Sequence, residues 1–398
     1  MILFGGFIAL IISFYSCKSV KELSVTDFKF DGPLGSEGTT IEKLEKNFFK
    51  VSLGHAPNQP EWNNKLNFEI TGNAKGNNLV LIVEGPPRYP MNEYFYSWSY
   101  DMENWNPIFW NVGHKVSPER DTLVFPVFEQ EKVYFGHQVP MSYGQAEKFI
   151  ESIMYNDHVQ VDTLGKSLGG RNLYRITITD AHSQVPEDKR WGHYFSNSHP
   201  GEHNAQWRMI GKIEWLLSED GKDFRERSIC HFVLMMSPDG PNNGWYRVNA
   251  QGIDMNRSYF PGGSDKEKQA HEAYIFQHDL EKIMESESPV TTIWGHHTWP
   301  GPVEALLYFV EDENVGPWTD WRDILLKLAP ETLIKPLAVR KGTPGYGATS
   351  WEYGPHFQFG ITAVLCEGSG DIYTKEENKL SGKLLMESLA EYYKGIKK

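Results

Sequence analysis

After Pro140 the chain alternates short apolar segments with amphipathic helical segments, and this alternation constrains the fold more than any other feature. "LYRITITD" (173–180) is typical of a β-strand, and "NAQWRMIGKIEWLLS" (204–218) places its apolar residues on one helical face. The pattern continues to the closing helix-like segment at the C-terminus. Alternating strands and helices favour an α/β fold, in which a mixed β-sheet is flanked by helices. We assign residues 141–398 to this domain.

The residues before this point follow a different pattern. Segments 77–85 and 121–136 are apolar or alternating, with Gly, Pro and Asn between the apolar runs, and no strong helical period occurs there. Residues 20–140 are therefore predicted to form a small N-terminal β-sandwich domain. A length of 398 residues is compatible with two such domains.

Two helix starts are predicted from capping boxes, in which a serine is followed three residues later by Gln or Glu. Ser142 and Gln145 predict a helix at the beginning of the second domain. Ser264 and Glu267 predict another helix that begins at residue 264.

The overall composition and net charge of the chain limit the classes of molecule that we expect it to bind. Apolar residues make up 40% of the chain and aromatic residues 14%, which is typical of a packed globular protein. The formal net charge is −13, and no basic cluster is present. An acidic chain of this kind argues against nucleic acid as a partner.

Residues 1–17 resemble a bacterial lipoprotein signal peptide. The apolar run at 2–16 is too short for a comfortable membrane span, and Cys17 and a polar segment follow it. We expect export to the periplasm or to the membrane, with attachment through a lipidated Cys17. No Lys or Arg precedes the run, so a plain secretory signal or an N-terminal anchor is the alternative. A cytoplasmic protein follows if the run is not a signal.

The other two cysteines lie in apolar runs. Cys230 occurs in "ICHFVLMM" and Cys366 in "ITAVLCE", and neither has the spacing of a metal-binding cysteine motif. Both are predicted to be buried free thiols.

Several predicted strands end in residues that can do chemistry. His199 and Glu202 follow one strand, the pair His296 and His297 ends another, and Glu367 ends the last. In an α/β sheet, ligands bind where strands end and loops begin. Two histidines and a carboxylate suit zinc, which leaves a fourth position for water, and a further carboxylate can accept a proton from that water.

The two adjacent histidines cannot both bind one ion from a regular strand. Neighbouring strand residues point to opposite faces of the sheet. From this reasoning, either His296 or His297 is the third ligand.

Four segments resemble the M14 family of zinc carboxypeptidases, in particular its cytosolic carboxypeptidase-like branch. They are "HPGE" (199–202), "SPDG" (237–240), "GWYRVNAQGIDMNRSY" (244–259) and "VLCEGSG" (364–370). That branch also carries a β-sandwich ahead of its catalytic domain. The resemblance extends over about residues 60–370 and implies one Zn²⁺ per chain, with His199 and Glu202 as ligands.

The resemblance also implies roles for residues outside the ligand set. Arg247 matches the arginine that stabilises the oxyanion, and Glu367 matches the general base. Asn256 and Arg257 match the pair that grips the terminal carboxylate of a peptide. A mobile tyrosine precedes the base in the family, and Tyr346 and Tyr353 are the two candidates for it.

The third ligand departs from the family pattern of Asp, an apolar residue, His and a small residue. If His297 is the ligand, Thr298 is the small residue and Gly295 stands where the family has Asp. If His296 is the ligand, Trp294 takes the Asp position. We favour His297. In either case the Asp that would orient the ligand is missing.

The resemblance implies a zinc metallo-carboxypeptidase that hydrolyses the C-terminal peptide bond of peptides with a free C-terminus. One alternative is a related zinc amidase that acts on cell-wall peptides or acylated amino acids. The other is a lipid-anchored peptide-binding protein with weakened catalysis, which the missing Asp would explain.

Overall fold

The fold is seen in a computed structural model. It describes residues 20–86, 93–110, 120–301, 304, 306–309, 315–329, 339–341, 347–394 and 396. Residues 1–17, including Cys17, and Tyr346 lie outside these ranges. None of the helices within them combines the length and hydropathy that a membrane crossing requires.

The strands of the N-terminal region form two larger sheets and a small hairpin. Their bounds are β1 Phe28–Lys29, β2 Thr40–Glu45, β3 Phe48–Ser52, β4 His55–Ala56, β5 Gln59–Asn63, β6 Phe68–Ile70, β7 Leu79–Glu84, β8 Tyr96–Ser99, β9 Trp105–Ile108, β10 Arg120–Phe125 and β11 Val133–His137. One sheet has the order β1-β6-β11-β8-β9 and the other β10-β7-β3-β2, while β4 pairs with β5.

The two larger sheets share one apolar core. Phe49 and Leu81 from one sheet and Phe68 and Phe135 from the other belong to a single buried cluster. The rings of Phe68 and Phe135 stack with centroids 4.8 Å apart. The burial of alternate residues along β7 gives that sheet one inward and one outward face. The predicted strand-rich N-terminal region is therefore present, whereas the boundary at residue 140 stays a prediction.

The second region alternates strands and helices. Its strands are β12 Val159–Lys166, β13 Asn172–Ile178, β14 Trp191–Ser196, β15 Ser228–Val233, β16 Thr292–Trp299, β17 Leu306–Phe309, β18 Val339–Lys341 and β19 Thr362–Ser369. Its helices are α1 Tyr143–Ile153, α2 His203–Leu217, α3 Lys222–Arg227, α4 Gly240–Asn243, α5 His271–Met284, α6 Val315–Leu328, α7 Tyr353–Phe359 and α8 Lys375–Tyr393.

These strands form one mixed sheet in the order β12-β13-β15-β14-β16-β19-β17-β18. The central strands β15, β14, β16 and β19 are parallel, and antiparallel pairs flank them. Helices α2 and α8 cover one face and α5 covers the other. The predicted mixed sheet flanked by helices is confirmed. The carboxyl ends of the parallel strands meet at one edge.

Of the two helix starts predicted from capping boxes, one is present in the structure and the other is not. Ser142 accepts from the backbone N–H of Gln145 at 3.2 Å, and the Gln145 side chain accepts from the Ser142 N–H, so α1 begins as predicted. The start at Ser264 is wrong, because α5 begins only at His271. The Ser264 hydroxyl donates to Glu281 within α5, and Asp265 accepts the N–H of Glu267 instead.

Both remaining cysteines are buried and free, as expected. Cys230 is on β15 and Cys366 on β19, and both belong to the core beneath α2 and α8.

Helices α2 and α8 pack closely at Gly382, and this contact yields a stability prediction. A Cβ at Gly382 would overlap the backbone oxygen of Arg208 in α2. We expect Gly382→Ala to destabilise the protein by about 1–3 kcal/mol, because the helices must move apart. The lower midpoint of unfolding would be measured in urea.

Gly144→Ala in α1 is the control, since no described atom lies within 4 Å of its added Cβ. It should be neutral or stabilising by up to about 1 kcal/mol. Equal midpoints for the two variants would contradict the packing argument.

Candidate active site

The turn after β14 brings His199 and Glu202 to the edge of the sheet. Asn197 donates its side-chain N–H to the carbonyl of His296 at 2.9 Å, which ties the start of the turn to β16. The N–H of Gly201 donates to the carbonyl of Tyr246 at 3.0 Å. Glu202 then occupies the N-cap position of α2. The turn is therefore held on both sides before the helix begins.

His199, Glu202 and His297 form a compact group of potential metal ligands. One ligand atom from each lies within 4.8 Å of the others, and all three side chains are buried. Nδ1 of His199 is 2.8 Å from Oε1 of Glu202, and Nδ1 of His297 is 2.8 Å from Oε2. Two imidazole nitrogens and one carboxylate form a ligand set that fits zinc with an open fourth position. The residues present therefore fit the zinc ion that was predicted.

His296 points away from this group. Its ring packs on the α2 face of the sheet, with centroids 5.8 Å from Phe195 and 6.4 Å from Trp294. Burial holds the pKa of His296 well below its ordinary value. The alternation of side chains along β16 thus places His297, rather than His296, beside His199 and Glu202.

Each of the two clustered histidines contacts a second carboxylate through its other ring nitrogen. Nε2 of His199 is 3.1 Å from Oδ1 of Asp254, and Nε2 of His297 is 2.6 Å from Oε1 of Glu352. Such partners fix the ring orientation and the tautomer of a metal-binding histidine. The sequence analysis missed both carboxylates. Asp254 lies in the quoted segment "DMNRSY", but Glu352 carries no local signal because its partner is 55 residues away.

Burial would raise the pKa of Asp254, yet its neighbours hold it well below the usual range. The charge and hydrogen bond of His199 lower this pKa, as do the charges of Arg247 and Arg257. Arg247 also donates to Oδ2 of Asp254 from Nε at 3.1 Å and from Nη2 at 3.0 Å. Asp254 therefore stays ionised between a histidine and an arginine of the site.

Glu367 lies opposite His297 in the sheet. The two residues are register partners in the parallel pair β16–β19. Burial raises the pKa of Glu367 to about 7, although the charge of His297 opposes the shift. A carboxylate with a pKa near neutrality can both accept and release a proton, as a general base and acid must.

One cavity of about 410 Å³ contains most of the predicted site residues. Its lining comprises Glu93, Tyr94, His199, Glu202, Tyr246, Arg247, Asn256, Arg257, His297, Thr298, Trp299, Pro300, Leu365 and Glu367. Within it, Nδ2 of Asn256 is 3.3 Å from Nε2 of His297. The structure therefore brings together the proposed ligands, the proposed base and the proposed substrate-binding residues, whose roles stay predictions.

Tyr353, one of the two predicted tyrosines, is not among the described residues that line the cavity. It is the first residue of α7, is buried, and packs in a core cluster with Tyr259 and Trp351. Tyr346 falls outside the described residues.

The N-terminal region contributes to the wall of the cavity, which the sequence analysis did not foresee. The hydroxyl of Tyr94 donates to the carbonyl of Thr298 at 3.0 Å and is 2.9 Å from the hydroxyl of Tyr246. Beneath these rings lies the buried Lys65, whose Nζ is 4.4 Å from the centroid of Tyr246. Burial lowers the pKa of Lys65 to about 8.

Part of the chain matches the model of a known protein family, and curated relatives of that family match it too. Residues 147–294 match the family model described as zinc carboxypeptidase, of the M14 family. Cytosolic carboxypeptidase 2 from Macaca fascicularis is 32% identical over 217 residues, which is 52% of this chain and 25% of that protein. Residues 147–294 of the chain are thus similar to an M14 zinc carboxypeptidase domain.

Two solved structures share the fold of this chain over more than 90% of its length. A metallo-carboxypeptidase from Burkholderia cenocepacia superposes with a TM-score of 0.76 at 16% identity, covering 92% of this chain and 98% of that one. A metallo-carboxypeptidase from Pseudomonas aeruginosa, in complex with (2-guanidinoethylmercapto)succinic acid, gives a TM-score of 0.73 at 17% identity, covering 91% and 98%.

The sequence identity of these matches and the share of each protein that they cover determine what they show about this chain. The likenesses to solved structures, at 16% and 17% identity, establish the fold. The chain spans only 20% and 25% of the length of two cytosolic carboxypeptidase 2 proteins that it matches. The predicted resemblance to the M14 zinc carboxypeptidases is confirmed for residues 147–294.

The opposite orientation of the two neighbouring histidines gives a test of the metal group. We expect His297→Ala to reduce the zinc content of the purified protein from about one per chain to close to zero, because one of three ligands is lost. His296→Leu, which keeps an apolar side chain on the other face, should retain about one zinc. Elemental analysis after dialysis measures both variants. Loss of zinc only in His296→Leu would contradict the assignment.

Proposed function

We propose that this protein is a zinc metallo-carboxypeptidase that hydrolyses the C-terminal peptide bond of peptides with a free C-terminus. The observation that carries the proposal is the single cavity in which Glu367, Arg247 and Arg257 surround the three potential metal ligands. The zinc carboxypeptidase family model and the cytosolic carboxypeptidase relatives support a metallopeptidase.

Arg257 and Asn256 are proposed to bind the terminal carboxylate of the substrate. A guanidinium binds a carboxylate in two-pronged geometry and keeps its charge at any working pH. Nη1 of Arg257 donates to the backbone carbonyl of Asn256 at 2.6 Å, and both residues line the cavity. A free C-terminus would thus be recognised beside the ligand group, and an amidated one would lose this contact.

Glu367 is proposed to accept the proton of the attacking water and to deliver it to the departing amine. A Zn²⁺ held by His199, Glu202 and His297 would supply Lewis-acid chemistry, polarising the scissile carbonyl and acidifying that water. Arg247 faces the same cavity and is proposed to stabilise the negative charge that develops on the carbonyl oxygen.

Replacement of Glu367 by glutamine is the sharpest test of this function. Glu367→Gln keeps the size of the side chain but cannot accept the proton, so kcat/KM should fall by about 10²–10⁴-fold or more. Zinc content should remain near that of the wild type, because Glu367 is outside the ligand group. The assay uses N-acylated dipeptides that carry a free C-terminus and monitors release of the last residue.

The same peptides with amidated C-termini are the control substrates. We expect little turnover of these, since they offer no carboxylate to Arg257. Faster cleavage of the amidated series would favour an amidase or an endopeptidase. If the zinc-loaded wild-type protein binds the peptides with free C-termini and cleaves none of them, the proposal that it is an enzyme is refuted.

We also propose that the protein is exported and attached to a membrane through lipidated Cys17. Support comes from the apolar run and the position of the cysteine alone. In a bacterial host, we expect the full chain to fractionate with membranes and to incorporate labelled fatty acid. Cys17→Ala should abolish the label. Unlabelled wild-type protein in the soluble fraction would rule out lipid attachment.

A further inference from the structure

We propose that Glu352 is the positioning residue for the ligand His297, and that Gly295 is the residue that makes room for it. This inference rests on the proposed zinc site and deepens it. The strand that carries His297 has no carboxylate of its own at residue 295. The structure assigns that task to a side chain from the start of α7.

The contact between the two side chains is short and buried. Nε2 of His297 lies 2.6 Å from Oε1 of Glu352, and the two residues are only 2% and 1% exposed. An ionised carboxylate can only accept a hydrogen bond, so Nε2 of His297 must donate. The proton therefore resides on Nε2, and Nδ1, which faces Glu202, keeps its lone pair for a metal.

The position of Gly295 explains why Glu352 can reach the ring. Residues 295 and 297 are two apart on β16, so their side chains share one face of the sheet. A Cβ built on Gly295 would overlap the Glu352 side chain at Cγ, at Cδ and at the carboxylate oxygen Oε1. Any side chain at residue 295 would therefore compete with Glu352 for the same space beside His297.

This arrangement gives both histidines equivalent surroundings. His199 turns Nδ1 toward Glu202 and Nε2 toward Asp254, and His297 turns Nδ1 toward Glu202 and Nε2 toward Glu352. The missing Asp on β16 therefore leaves no ligand histidine without a carboxylate.

The segment that carries Glu352 is anchored to the site. Oδ1 of Asn256 accepts the backbone N–H of Trp351 at 2.8 Å, and Nδ2 of the same amide is 3.3 Å from Nε2 of His297. One side chain thus holds the residue before Glu352 and touches the histidine that Glu352 orients. This anchoring compensates for the fact that the carboxylate does not come from β16 itself.

A double-variant exchange tests the proposal without relying on catalysis. We expect Glu352→Ala to weaken Zn²⁺ affinity by about 10–100-fold in a chelator competition assay. Gly295→Asp alone should also weaken affinity, because the new side chain collides with Glu352. The double variant Gly295→Asp/Glu352→Ala should recover affinity to within a few-fold of the wild type, since the carboxylate is now supplied from the strand. Glu352→Gln, which keeps an oxygen acceptor without the charge, should fall between.

The controls separate positioning from folding. Glu272→Gln removes another buried carboxylate, one that accepts from Leu168 and Asn249 outside the ligand group, and should leave Zn²⁺ affinity unchanged. Urea unfolding of the metal-free proteins shows whether each variant is folded. The absorption spectrum of the Co²⁺-loaded proteins reports ligand geometry, and it should change in Glu352→Ala and return in the double variant.

Two results would overturn the inference. One is wild-type Zn²⁺ affinity in a folded Glu352→Ala protein. The other is a double variant that binds Zn²⁺ no better than the tighter-binding of its two parents. These outcomes are independent of turnover. If the wild type cleaves no peptide but the exchange restores Zn²⁺ affinity, the proposed function fails and the inference stands.

Discussion

The site depends on the parallel pairing of β14, β16 and β19. Ser196 is level with Gly295, and His297 is level with Glu367, so the carboxyl-terminal parts of three strands lie side by side at the same edge. The backbone hydrogen bonds that fix this register also fix which face each side chain takes. A slip of one residue would exchange His297 for His296 and remove the ligand from the cavity. The geometry of the proposed chemistry is thus a consequence of strand register.

Around that edge, the carboxylates of Glu202 and Asp254 each contact two side chains that can carry positive charge. Asp254 lies between His199 and Arg247, and Glu202 lies between His199 and His297. Unpaired, any of these carboxylates would be expensive to bury. Glu367 differs, because burial raises its pKa toward neutrality. The same burial that requires pairing of the other carboxylates thus suits this one to proton transfer.

Much of the fold and part of the site could be predicted locally. The strand and helix periods of segments such as 173–180 and 204–218 reflect which side chains face a core. The α/β fold class could therefore be predicted from the sequence. His199 and Glu202 lie three residues apart at a turn, and a motif of that kind is visible in a single line of sequence. The false helix start at Ser264 shows the limit of local rules, because Glu281, seventeen residues away, binds that serine instead.

The amino-acid sequence by itself identified His199 and Glu202 as candidate ligands, restricted the third ligand to His296 or His297, and showed that residue 295 carries no carboxylate. The orientation of the two histidines in the folded sheet then placed His297 in the group. Only the tertiary structure decided that the carboxylate missing at residue 295 is supplied by Glu352, and that Tyr94 from the N-terminal region closes one wall of the cavity. The physical reason is the range of the interactions. Periodicity and capping act between residues that are close along the chain, whereas the contacts of Glu352 and Tyr94 exist only after the sheet has been assembled.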